Sequence, residues 1–220
     1  GYVEGQNIAL ESRWADGKYE RLPDLAAELV RLKVDVIVTM ASPAVRAAKE
    51  ATTTIPIVMA YIIDPVATGF VVTLARPGGN VTGLSMMAPE LVPKQMELLK
   101  EVVPKLSWVG VLWNPANLAG TPQLREAEVA ARKLGVRLQP LEAPGPKEID
   151  NAFAAMTRKG AGALMVLADA MLNSQRTRIV ALAAERRLPA VYGTREYVEA
   201  GGLMAYSANR FDSYRRAATY

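Results

Sequence analysis

The chain has 220 residues, 50% of them hydrophobic and 22% charged, with a formal net charge of +4, no cysteine and no histidine. That is ordinary globular composition, large enough to bury a core without covalent staples and compatible with one domain or two modest ones. It excludes disulfides, thiolate chemistry, imidazole general bases and zinc-bound-water catalysis within the chain. The basic residues are spread over helical patterns (Arg125, Arg132 and Lys133; Arg176, Arg178, Arg186 and Arg187), which suits solvated faces rather than a nucleic-acid interface. No apolar run approaches the roughly 18 residues of a membrane span. No signal peptide is visible, and Gly1–Asn7 reads as a turn from the middle of a protein, so the expectation is a processed or truncated piece.

In chain order, Ile8–Trp14 alternates between apolar and polar residues and predicts a strand with one polar face. Tyr19–Leu32 carries Leu22, Leu25, Ala26, Leu29 and Val30 at helical spacing, with Pro23 tolerable in the first turn. Val34–Thr39 predicts a strand buried on both faces. Ser42-Pro43 then opens a helix to about Thr52, with a capping hydroxyl before a first-turn proline. Ile57–Ala60 predicts a strand, Asp64-Pro65 repeats the cap-plus-proline signal, Arg76–Asn80 is a turn, and Val81–Met86 is a further strand.

Pro89–Val103 predicts a long helix, after which the rhythm restarts. Strands are expected at Trp108–Trp113, Arg137–Leu141, Ala163–Leu167, Ala190–Tyr192 and Leu203–Tyr206. Helices are expected from Thr121 to Gly135, at Glu148–Lys159, Ser174–Arg187 and Glu196–Glu199, and from Phe211 onward. Strands alternating with helices indicate a parallel α/β architecture, and about nine strands favour a split into two sheets. The helix Pro89–Val103 is the natural crossing between two similar lobes. Residues 1–88, rejoined by 208–220, form the expected N-terminal lobe, and 89–207 the C-terminal lobe.

In parallel sheets ligands bind outside the carboxyl ends of the strands. Here those ends fall at Ser42, Tyr61, Asp64 and Ser85 in the first half. In the second they fall at Trp113, Asn114, Asp169, Tyr192, Glu196 and Tyr206. Ser42 at a helix start suits a carboxylate and serves equally as a plain cap. Asp64 suits an amine, so the pair supplies two poles for a zwitterion, or two caps. Asn114 and Asp169 are the facing counterparts, each also a natural turn or helix-start residue. Glu196 suits an amine or a solvated helix start. The rings of Tyr61, Trp113, Tyr192 and Tyr206 suit a pocket wall or ordinary core. Ser85 falls near the hinge. Arg76-Pro77-Gly78-Gly79-Asn80 lacks both the Walker pair and the G-x-G-x-x-G spacing, so it is a tight turn.

Several strings in order carry a resemblance: Gly1–Asn7, Arg21-Leu22-Pro23-Asp24-Leu25-Ala26, Ile55-Pro56-Ile57-Val58, Asp64-Pro65-Val66, Arg76–Gly83, and Glu199-Ala200-Gly201-Gly202-Leu203-Met204-Ala205-Tyr206. Together they resemble the tryptophan/tyrosine-type substrate-binding proteins of ABC transporters, over essentially the whole chain. The resemblance implies a type I periplasmic-binding-protein fold, with two Rossmann-like lobes, a multi-strand hinge and a ligand held between them. It also implies a non-enzymatic receptor without cofactor or metal, periplasmic or extracytoplasmic, that delivers an amino acid or related zwitterion to a membrane permease. Against the family's usual extent, the first strand and helix and the C-terminal segment are expected to be missing, which would open the N-lobe sheet to self-association. The alternative function is the effector domain of a transcription regulator, which shares the lobe plan.

Overall fold

A computed structural model describes residues 1–16 and 18–219. Among them are eight strands: β1 (Ile37–Met40), β2 (Ile57–Ile62), β3 (Val81–Ser85), β4 (Trp108–Trp113), β5 (Arg137–Glu142), β6 (Ala163–Val166), β7 (Ala190–Tyr192) and β8 (Met204–Ala205). The helices are α1 (Leu22–Arg31), α2 (Ser42–Ala51), α3 (Ala88–Val102), α4 (Gly120–Lys133), α5 (Glu148–Lys159), α6 (Ala170–Ser174), α7 (Arg176–Glu185), α8 (Glu196–Glu199) and α9 (Arg210–Ala217). A 3-10 turn, Tyr19–Arg21, leads into α1. No helix among the described residues is long and apolar enough to cross a membrane.

The strands form two wholly parallel sheets, one ordered β1-β2-β3 and the other β5-β4-β6-β7-β8. Period-2 alternation sends neighbouring residues of β2 to opposite faces. Ile57 and Met59 pack with Val45 and Ala48 of α2, while Val58 and Ala60 pack with Tyr214 and Ala217 of α9. The last helix therefore covers the second face of the first sheet. In the larger sheet, Val109, Val111 and Met165 face Val92, Met96 and Leu99 of α3 and Ala127 and Ala131 of α4. Leu112, Leu164 and Val166 face the side that holds Phe153, Met156 and Ile179. Pro140 lies on β5, an edge strand, the place where a residue without an N–H is tolerated in a sheet.

Two crossovers join the sheets, β3 to α3 and β8 to α9. They are tied at the second one, where Gln95 Nε2 on α3, a buried side chain, donates to the carbonyl of Tyr206 at 2.7 Å. Between the sheets lies a small apolar seam of Ile63, Met86, Ala88, Ala119 and Ala168, with Tyr61 and Ala208 packed against it.

Several sequence expectations differ from the structure. Val34–Thr39 is not a strand buried on both faces: β1 begins at Ile37 at the edge of its sheet, and Val36 and Val38 are exposed. Ile8–Trp14 is not a strand: beyond a single bridge between Glu4 and Ile8 the segment has no ladder partner, and Leu10 and Trp14 stay exposed. Its alternation fits a sheet surface that no neighbouring strand supplies, and its anchor is the Arg13–Glu28 ion pair at 2.8 Å. Asp64-Pro65 opens a turn instead of a helix, because Gly69 turns the chain at φ 71° and the Phe70 N–H closes back onto the Pro65 carbonyl. The helix expected at Ser174–Arg187 is two helices broken at Gln175, the first starting earlier, at Ala170.

Candidate functional site

A cavity of about 270 Å3 lies beside the carboxyl ends of β1 and β4, with Tyr19, Leu22, Ser42, Arg46 and Glu50 on the α1–α2 side and Asn117 and Leu118 on the other.

On the first wall, Ala41 takes over the backbone role of helix cap. It holds φ 66° and ψ 141°, and its carbonyl accepts the N–H groups of Ala44 and Val45 at 3.1 and 3.2 Å. Ser42 is thereby pushed into the first helical position, and its hydroxyl caps nothing. The residue is 8% exposed, and Oγ is buried with no hydrogen-bond partner in the protein. A buried hydroxyl without a partner costs about 1–3 kcal/mol, so the site carries an unmet demand beside the positive end of a ten-residue helix. The Ala41 backbone adds strain, since a non-glycine residue there costs on the order of 1–3 kcal/mol. Ala41→Gly is expected to raise unfolding stability by about 1 kcal/mol in a urea titration, the relief exceeding glycine's extra entropy cost.

The facing wall is built on neighbouring strands. Leu112 of β4 pairs with Val166 of β6, which brings the residues after them, Asn114 and Asp169, together. Asp169 is buried, and its carboxylate is shared three ways. Oδ1 accepts the Leu172 N–H at 2.8 Å and so caps α6. Oδ2 accepts Asn117 Nδ2 at 2.8 Å and Asn114 Nδ2 at 3.3 Å. The two asparagines are locked in turn, each Oδ1 accepting a backbone N–H two residues on, from Ala116 at 2.9 Å and Ala119 at 3.1 Å. Gln123, 1% exposed, braces this loop by bonding the Ala119 carbonyl and both the N–H and the carbonyl of Ala168. The loop after β4 and the loop after β6 thus form one preorganised polar unit.

Two phenols sense Asp169. Burial pushes the Tyr19 hydroxyl up to about 12, with the Asp169 charge adding to it across the cleft. Burial likewise pushes Tyr197 well up, again with a contribution from Asp169, and its hydroxyl is buried without a partner.

At the seam end of the cleft, Glu196 pairs with Arg210 at 2.8 Å, joining α8 to α9. The Arg210 guanidinium also approaches Met40 Sδ and the Tyr214 hydroxyl. Burial of Glu196 opposes ionisation, but the hydrogen bonds from Arg210, from its own N–H and from Thr194, with the Arg210 charge, hold its carboxyl below the usual range. Tyr61 is pushed up to about 12 by burial and by the Glu196 charge, which Arg210 partly offsets, and its hydroxyl donates to the Ala208 carbonyl at 3.5 Å.

Of the residues singled out from the sequence, the structure joins Asn114 to Asp169 and sets Ser42 on the opposite wall. Tyr61 and Glu196 share the seam end. Asp64 Oδ1 accepts the N–H groups of Val66 and Ala67 at 3.1 and 2.9 Å, and the residue does not line the cavity. Ser85 Oγ accepts the Met87 N–H at 3.0 Å within the crossover. Trp113 packs on the α3–α4 face beside Gly120, its Nε1 buried without a partner. Tyr192 is 1% exposed and lies in the core with Phe153 and Leu164, stacked on Tyr197 at 4.5 Å, so it walls no cleft. Tyr206 is exposed, and its carbonyl is the group tied by Gln95. Sequence reasoning missed Asn117, Arg210 and Tyr19. For Asn117 a signal existed, a second asparagine three residues after the first in Asn114-Pro115-Ala116-Asn117.

The fold is shared with known proteins. A tyrosine-binding protein from Clostridioides difficile (strain R20291) is 29% identical over 203 residues, which is 92% of this chain and 58% of the relative. The chain therefore spans under two thirds of that protein's length. The crystal structure of an ABC domain in complex with L-Trp from Streptococcus pneumoniae is 26% identical, with a TM-score of 0.90 over 97% of this chain and 73% of that one. The ligand-free, open structure of a substrate-binding protein with adhesive properties from Clostridium difficile is 27% identical, with a TM-score of 0.67 over 100% of this chain and 74% of that one. The two parallel-sheet lobes are those of the type I periplasmic-binding-protein fold. The family described as ABC transporter substrate binding protein matches residues 1–220, and the chain belongs to it.

Proposed function

We propose that this chain is the ligand-binding part of an extracytoplasmic solute receptor, which closes its two lobes over an aromatic amino acid and delivers it to the permease of an ABC importer. It is a binding protein, not an enzyme, as its family is. The observation that carries the ligand reading is the unpartnered, buried Ser42 hydroxyl at the start of α2, set across a cleft from the Asn117–Asp169 unit. The helix start and the hydroxyl receive the carboxylate, since free N–H groups and the helix dipole favour an anion there. Asp169 receives the ammonium. Neither carboxylate lines the cavity itself; Asp169 is favoured over Asp64 because Asn117, which does line it, bonds Asp169 Oδ2, whereas Asp64 Oδ1 is held only within its own turn.

The lobes of this reading are residues 1–88 with 208–220 and residues 89–207, a division supported by α9 packing on β2. A ligand touching both lobes favours the closed arrangement by its differential affinity. Support for a near-closed arrangement comes from the higher TM-score to the L-Trp complex than to the open, ligand-free protein, at almost equal identity. The aromatic class rests on the tyrosine-binding relative and the L-Trp complex. Self-association would use β1, an edge strand on which Val38 is 64% exposed.

Calorimetry with L-tyrosine and L-tryptophan tests the reading. Ser42→Ala removes the hydroxyl and adds no bulk, and a loss of about tenfold is expected from one charge-assisted hydrogen bond. Unchanged affinity in Ser42→Ala for a ligand that binds the unaltered chain would remove the helix start from the site.

A further inference from the structure

With Ser42 and the Asn117–Asp169 unit holding the two charged groups of a zwitterion, the remaining lining is mostly apolar, Tyr19, Leu22, Pro23 and Leu118 among it, with Arg46 and Glu50 its charged members. Two of these are large apolar side chains left open to water, Tyr19 at 37% and Leu118 at 60% exposure. They come from opposite walls, Tyr19 from the turn before α1 and Leu118 from the loop after β4. An exposed leucine is unremarkable alone. One that shares a cleft with an exposed tyrosine of the facing wall, beside a preorganised polar unit, is placed to be covered by whatever that unit binds.

We infer that Tyr19 and Leu118 are the specificity-determining residues of this receptor, a clamp of one side chain per wall that grips the apolar side chain of the ligand. The inference rests on the zwitterion reading above and deepens it. The backbone of each residue is fixed independently of any ligand. Tyr19 sits in a 3-10 turn whose Arg21 N–H bonds the Lys18 carbonyl, and Arg21 pairs with Asp16. Leu118 follows Asn117, whose side chain is held at both ends by Asp169 and by the Ala119 N–H. Selection by the clamp is therefore a matter of contact area: a ring fills the space between the two walls, and a shorter aliphatic chain leaves part of it wet.

The test is calorimetry with L-phenylalanine, L-tryptophan, L-leucine and L-alanine on the unaltered chain, Tyr19→Ala, Tyr19→Phe, Leu118→Ala and Ser42→Ala, each checked by thermal melting. The expected result is that Tyr19→Ala and Leu118→Ala each lower the ratio of phenylalanine to leucine affinity at least fivefold. Tyr19→Phe keeps that ratio within twofold, and Ser42→Ala lowers affinity for both acids by one common factor. Equal losses for phenylalanine and leucine in Tyr19→Ala and Leu118→Ala, or no loss in either, would overturn the clamp and leave the zwitterion reading standing. An unaltered chain that binds none of the four acids would overturn both. Leu118→Ala removes an exposed side chain and is expected to fold normally, so the clamp can be judged on it even if Tyr19→Ala melts early.

Discussion

Gly83→Ala is expected to abolish cooperative folding of the first sheet, at a cost of about 4 kcal/mol or more, in the range reserved for severe steric lesions. Gly83 lies in the middle of β3, opposite Met59 of β2, with φ at 130°. A β-carbon there would fall on the Met59 carbonyl oxygen and lie 2.6 Å from its nitrogen and 2.8 Å from its carbonyl carbon. These are backbone atoms of a residue 2% exposed, in the central strand of three, so they cannot step aside without breaking the ladder to β1 as well. The register between β2 and β3 already shifts between Met59 and Ile62, so the close approach is part of how β3 is seated. The control is Gly79→Ala, whose added carbon meets nothing within 4 Å and whose φ is ordinary. Urea unfolding followed by circular dichroism should leave Gly79→Ala close to the parent and show Gly83→Ala losing its transition or shifting it far down. A Gly83→Ala transition within 1 kcal/mol of the parent would mean that β3 can slide, and the sheet register described here would be wrong.

What could be read in the sequence follows from how local each cause is. β4, β5, α5, β7 and α8 were legible almost to the residue. Their signals, a β-branched run or a helical stripe closed by glycine, lie within the segment itself. Ile8–Trp14 carries an equally good strand pattern, but a strand also needs a neighbour, and alternation says nothing about whether one arrives. Asp64-Pro65 carries the same cap-plus-proline signal as Ser42-Pro43. One became a turn and the other a helix, the difference lying in Gly69 and in the closure of Phe70 onto Pro65.

The site is legible in its positions and illegible in its pairings. Ser42, Asn114 and Asp169 were marked by lying after strands. That Asn114 meets Asp169 depends on β4 and β6 being neighbours, with β5 placed outside them, a strand order no local pattern encodes. The Glu196–Arg210 pair needs α9 to return to the first sheet while α8 stays with the second. The freedom of the Ser42 hydroxyl was hidden for a different reason. The sequence names serine as the cap, and the backbone of Ala41 takes that role from it by adopting a conformation that alanine disfavours.

Asp169 is where stability and binding are expected to part under mutation. Asp169→Ala removes the acceptor for the Leu172 N–H and takes their shared acceptor from the buried Asn114 amide and the half-buried Asn117 amide. A lost cap is worth about 1 kcal/mol and a stranded buried donor about 1–3 kcal/mol, so a loss of about 2–4 kcal/mol is expected. Asp169→Asn retains an oxygen for the Leu172 N–H and nearly the same shape, but turns an amide toward two amide donors and removes the charge. It should lose less stability than Asp169→Ala in the absence of ligand. Its affinity for an aromatic amino acid should nonetheless fall about 10- to 100-fold, because a hydrogen bond to a charged group contributes about 1.5–3 kcal/mol. Asp64→Asn serves as the counter-test, since an asparagine can accept the Val66 and Ala67 N–H groups equally well and should change affinity by less than twofold. Melting curves without ligand, beside calorimetry with it, separate the two effects. Should Asp169→Asn bind as tightly as the parent while Asp64→Asn does not, the ammonium pole moves to Asp64 and the Asn114–Asp169–Asn117 unit becomes a structural brace. Should neither change matter, the carboxylate left is Glu50, which lines the cavity on α2.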